Sequence, residues 1–182
     1  AMRRLPAEQM LDVVLDHRPI TPPERNALVR MILQFHESAG VFAVAGDDYV
    51  VHLRRYVDAH HELLARHRYG LPAELLGALR VLQLRVLDRR EAAFRRRADG
   101  GFIRECHGDL RPEHICLAEP PCAIDRLEFS RSLRTMDVIE EWALLCLECI
   151  RLGHTGFADA LAGAALGGDE PGAEVWPFYL SK

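Results

Sequence analysis

The chain has 182 residues, 49% hydrophobic and 27% charged, with a net charge of −4. That length can bury a core without disulfides or metals, and the charge gives no reason to expect a nucleic-acid or anionic-membrane partner. No run of eighteen apolar residues occurs, which excludes a spanning helix. The five cysteines, an odd number with no secretory pattern ahead of them, read as reduced thiols in a cytoplasmic protein.

The first 98 residues read as mostly helical. Residues 7–17 carry Met10, Leu11, Val14 and Leu15 at helical spacing. In "TPPE", Thr21 is a cap, Pro22 suits the first helical position and Glu24 closes a capping box. The helix that follows turns Leu28, Met31, Ile32 and Phe35 to one side, and Gly40 ends it. A long helix is predicted over 48–68, and another from Pro72 to Arg97 with Leu75, Leu76, Leu79, Leu82, Val86 and Leu87 inward. The basic run "RREAAFRRR" at its end reads as a solvated face near a helix C-terminus. "HHELLARH" lacks the second histidine of a zinc-protease helix, because Ala65 stands four residues after His61.

After "DGG" at 99–101 the pattern changes. Residues 102–106, 114–117 and 122–125 read as three short strands, with "AEPP" as the turn between the last two. Asp137 opens an apolar helix, "DVIEEWALLCLECIRL", and another follows Gly156. Residues 167–174 read as a loop before the apolar "VWPFYL". Within "ALLCLECI", Cys146 and Cys149 read as small core residues rather than a redox or zinc pair. Glu140 and Glu141 read as first-turn charges. Trp142, Trp176, Phe178 and Tyr179 read as core or lobe-packing aromatics, the last three of which would drive self-association if left exposed in a truncated chain.

The stretch "HGDLRPEHICL" at 107–117 carries the chemistry. With a four-residue turn at 118–121, Leu117 faces Cys122 and His114 faces Asp125. Directly paired residues hold their Cβ atoms about 5 Å apart. Asp109, in the loop leading to the same end, then joins a cluster of two carboxylates, an imidazole and Arg111. Phosphoryl transfer needs such parts: a carboxylate to take the hydroxyl proton, a second for the metal, and a cation for the transferred charge. Asp109 is assigned as the base, Asp125 as the metal ligand and Arg111 as the phosphate contact.

"HGDLRPEHI", followed by "ID..EF", resembles the C-terminal lobe of the aminoglycoside phosphotransferase family within the protein-kinase-like superfamily. "RLEFSRSLRTMDV" is similar to an uncharacterised bacterial branch of it. The resemblance covers about 104–151. It implies an α+β, mainly helical fold: one domain over 1–182, a kinase-like C-lobe with 1–6 as inter-lobe linker and 102–129 as catalytic loop and metal hairpin. On this resemblance Asp109 matches the catalytic Asp and Asp125 the magnesium-binding Asp. His107 braces the loop, Asp137 supports it from its helix, and Glu128 either supports the metal ligand or is an exposed charge. His114 stands where the family has a second metal-binding Asn, so it and Asp125 would hold Mg²⁺, or more readily Mn²⁺, with ATP. No glycine-rich phosphate loop precedes the helices and the only lysine is Lys182. The N-terminal nucleotide lobe is therefore expected to be absent here and to act in cis or in trans. The implied function is γ-phosphate transfer to a small-molecule hydroxyl, with this piece inactive alone. Two other readings stay open: a pseudo-kinase or regulatory module, and a helical interaction domain.

Overall fold

The computed structural model describes residues 4–66 and 69–182. The inter-lobe linker expected at 1–6 and the end of the helix expected over 48–68 lie partly outside the described residues. The protein is α+β and mainly helical, and the chain falls into two compact units.

The first unit takes residues up to Phe42 and Ile103–Gly168. It begins with α1 (Leu11–His17) and α2 (Pro22–Ser38). The expected capping box is present: Thr21 accepts from the Glu24 N–H, and Glu24 accepts from the Thr21 N–H at 2.9 Å. Arg18 adds two bonds to the same carboxylate, at 2.6 and 2.9 Å. Leu28 and Ile32 are buried on the inner face of α2, one turn apart. The chain returns in β1 (Ile103–Glu105), β2 (Ile115–Cys116) and β3 (Cys122–Ala123). It continues through the short α6 (Arg131–Arg134), β4 (Thr135–Asp137), α7 (Val138–Arg151) and α8 (Thr155–Leu166).

The three strands expected from sequence do not make one sheet. β1 pairs antiparallel with β4, Ile103 opposite Asp137, and β2 pairs with β3 and bridges to Met10 through Cys116. β4 and α6 carry too little periodicity to be seen in the sequence. Backbone from elsewhere in the unit finishes both ribbons: the Phe42 N–H donates to Ile103 and the Leu117 N–H to Gln9. Asp137 caps α7 by accepting from the Ile139 N–H at 3.0 Å. Cys146 and Cys149 are buried in α7, and burial pushes both thiols up to about 12. They are inert packing residues, as their apolar neighbours imply.

The second unit takes Ala43–Phe102 and Asp169–Lys182. Its helices are α3 (Gly46–Leu64), α4 (Ala73–Arg89), α5 (Glu91–Asp99) and α9 (Glu170–Leu180). The helix expected to run unbroken to Arg97 is two helices, because Arg90 leaves the helical region at φ −117°, ψ 18°. The break turns Ala93, Phe94 and Ala98 inward, with the Phe94 ring edge-on to Phe178 and Tyr179. Leu76 and Leu87 are buried as expected, but Leu75 and Leu82 are exposed. A leucine-rich helix offered more apolar positions than one buried stripe can use.

Two further expectations change here. Arg97 is fully buried rather than solvated, bonded to Asp169 at 2.6 Å with its guanidinium over the Phe102 ring. The segment 167–174 is not all loop. Asp169 caps α9 by accepting from the Gly172 N–H, and Phe178 and Tyr179 take the core placement read from sequence, which leaves these two rings no part in a self-association surface.

The Thr21–Glu24–Arg18 arrangement holds the Glu24 carboxyl well down, to about 2, chiefly through Arg18. A depressed acid stabilises the fold above its ordinary 4.5 and loses that contribution as pH falls toward 2. Thr21→Ala is expected to lower unfolding stability by about 1 kcal/mol near neutral pH. Urea titrations at a pH series should show that deficit shrinking through the acid range. A deficit independent of pH would mean that the box contributes nothing through its carboxylate.

Candidate active site

The loop after β1 is held by its own first residues. His107 is buried, and its Nε2 lies 2.7 Å from the Ile124 carbonyl, while its Nδ1 accepts from the Asp109 N–H at 3.4 Å. A ring nitrogen that accepts a backbone N–H is unprotonated, so Nε2 carries the hydrogen and donates to Ile124. His107 thus ties the loop to the residue preceding Asp125. Gly108 follows at φ +87°, and a Cβ there would come within 2.8 Å of Arg134. Only glycine fits.

The hairpin register differs by one residue from the sequence reading. The turn takes five residues, 117–121, so Cys116 faces Cys122 and Ile115 faces Ala123. His114 therefore lies opposite Ile124, whose N–H donates to its carbonyl at 2.9 Å, and not opposite Asp125. A one-residue slip moves side chains to the other face. Asp125 is exposed just past the ladder, with φ +59°. Among the described residues it is the non-glycine position with positive φ. Such a conformation is held against a local preference and is enriched at functional sites.

His114 turns back on the loop. Its Nδ1 lies 2.8 Å from the Asp109 carbonyl and 3.6 Å from the Asp109 carboxylate, and its ring stacks on His107 with centroids 6.2 Å apart. Donation from Nδ1 to a carbonyl leaves the lone pair on Nε2, the tautomer in which imidazoles bind metal ions. The Asp109 side chain is about one-third exposed. Arg111 is already charge-paired: it bonds Glu113 and lies 3.8 Å from Glu148. Glu128 is exposed, and its carbonyl accepts from Arg134.

Glu141, read from sequence as a first-turn charge, is fully buried and central to the site. One carboxylate oxygen accepts from the Gly108 N–H and the other pairs with His36 Nε2, both at 2.8 Å. Glu141 thus braces the loop backbone from α7, and Asp137 caps the same helix. His36 was missed altogether, because a lone histidine near the end of an amphipathic helix carries no motif. Its register with Ile32, one turn earlier on the same buried face, was the available signal.

Among the described residues, the trio whose ligand atoms all lie within 4.8 Å of one another is His36, Cys106 and Glu141, and not Asp109, His114 and Asp125. The buried trio is ill suited to a metal. Both Glu141 oxygens are engaged, and burial, with the Glu141 charge beside it, drives the Cys106 thiol far upward.

No family model matches the chain, and no solved structure matches it. It is similar to uncharacterized proteins of Mycobacterium bovis and of two Mycobacterium tuberculosis strains. Each is 33% identical over 128 residues, which is 66% of this chain and 26% of the relative. The chain spans about a quarter of the length of these relatives.

Glu141→Leu removes the partner of a buried imidazole and of a buried N–H together. It is expected to destabilise by about 3–5 kcal/mol, and Glu141→Gln, which keeps an acceptor for Gly108, by less. Adding His36→Leu to Glu141→Leu should recover part of the loss. Urea unfolding of the three variants checks this, and a Glu141→Leu protein as stable as wild type would mean that the carboxylate braces nothing.

Proposed function

We propose that this chain is the C-terminal, catalytic-loop-bearing part of an ATP-dependent phosphotransferase resembling the aminoglycoside phosphotransferase family. It transfers the γ-phosphate to a small-molecule hydroxyl when a nucleotide-clamping lobe is supplied in cis or in trans. The observation that carries the reading is the bracing of "HGD". His107 is tied to the residue before Asp125, Gly108 to Glu141, and Asp109 is left with an accessible carboxylate.

Two donors of types that a divalent cation takes are available, on residues that do not face each other in the ladder. Asp125 is an exposed carboxylate on a specially held backbone, and His114 keeps its Nε2 lone pair. One oxygen and one nitrogen donor suit manganese better than magnesium. Metal-bound ATP would supply the phosphoryl group. Asp109 then accepts the proton of the acceptor hydroxyl, and His114, bonded to the Asp109 carbonyl, holds that residue's backbone in place.

A second reading, a regulatory module without chemistry, is favoured by Arg111. Its guanidinium is paired with Glu113 and faces Glu148, so Arg111 itself is not poised for the transferred phosphate.

Two measurements separate the readings. Titration of the chain with Mn²⁺, followed by paramagnetic broadening of amide signals, should first affect residues 107–115 and 122–126, and Asp125→Ala should remove that selectivity. Broadening scattered over surface carboxylates, or unchanged in Asp125→Ala, would sink the metal assignment. With a nucleotide lobe present, Asp109→Asn should slow transfer by on the order of 10²–10⁴. Equal rates would leave the regulatory module.

A further inference from the structure

We propose that Cys116 and Cys122 form a reversible redox pair, a dithiol that hydrogen peroxide converts to a disulfide across the β2–β3 hairpin. The one-residue register shift is what brings them together. Instead of facing Leu117, Cys122 faces Cys116 directly in the ladder. Directly paired positions of an antiparallel ribbon have Cα atoms about 4.5–5.5 Å apart, inside the range that a disulfide spans. All five cysteines are free thiols in this structure.

The two sulfurs differ in access, which sets their roles. Cys116 is fully buried, whereas Cys122 is half-buried and lines a cavity of about 300 Å³ with Ile32, Phe35, His107 and Leu110. Cys122 therefore meets the oxidant. Its thiolate attacks one peroxide oxygen, the O–O bond breaks, and the departing hydroxide takes a proton to become water, leaving Cys122 as a sulfenic acid. The Cys116 sulfur then attacks the Cys122 sulfur. The S–S bond forms, the S–O bond breaks, and the second oxygen leaves as water with the Cys116 proton. The sulfurs together lose two electrons and the peroxide gains two. Burial, with Cys116 alongside, pushes the Cys122 thiol up, so the reaction quickens as pH rises. Cys106, Cys146 and Cys149 are buried, and none lines this cavity.

The test treats the folded chain with a modest excess of hydrogen peroxide, blocks remaining thiols and maps peptides without reduction. The expected result is loss of two of the five thiols, a peptide spanning 105–126 lighter by two hydrogens, and fragment spectra assigning the link to Cys116 and Cys122. Dithiothreitol should restore all thiols. In Cys116→Ala, Cys122 should be trapped by dimedone as a sulfenic acid and no linked peptide should form. Cys122 oxidised to sulfinic acid in the wild type, a link between other cysteines, or five unreacted thiols in the folded protein that oxidise only after denaturation would each overturn the proposal.

Discussion

A single carboxylate with no access to water organises the first unit. Glu141 reaches from the first turns of α7 to the His36 imidazole on α2 and to the Gly108 N–H in the loop. Burying a charge is tolerable only when its oxygens are satisfied, and here two different parts of the chain satisfy them. The consequence is geometric. A helix from the N-terminal third, a helix from the C-terminal third and the loop between β1 and β2 are locked in one arrangement, and none of the three can shift without stranding a buried polar group.

The loop inherits its shape from that lock. With Gly108 held, the chain has to turn at a φ that only glycine takes easily, and His107 is swung onto the Ile124 carbonyl. His114 closes the other side on the Asp109 carbonyl. Two imidazoles, each fixed in tautomer by a backbone partner, thereby join the loop to the end of the hairpin. The carboxylate of Asp109 remains accessible and that of Asp125 exposed, while the backbone beneath them is tied down. A rigid backbone under accessible acids is what a binding or catalytic site requires, since positioning fails when the support moves.

The second unit uses the same physics. Arg97 is buried, and its guanidinium is met by the Asp169 carboxylate and the face of Phe102. Asp169 in turn caps α9. A cation inside one helix and an anion at the start of another bring α5 and α9 together, and the aromatic cluster of Phe94, Phe178 and Tyr179 packs behind them.

Local chemistry was legible from the residues alone. "TPPE" dictated a capped helix start, the apolar stripe of α2 its buried face, "DGG" the end of the helical half, and Asp137 the start of α7, because each depends on neighbours three or four positions away. The "HGD" loop and Asp125 could likewise be picked out as candidates for chemistry before any fold was known. What needed tertiary structure was everything decided at a distance. The break at Arg90 follows from packing Phe94, the hairpin slipped one residue because its turn closed over five positions rather than four, and β1 took β4 as its partner instead of β2. The roles of Glu141 and Arg97 were hidden most completely. A charged side chain in a helix reads as solvated unless its partner is known, and those partners stand 105 and 72 residues away.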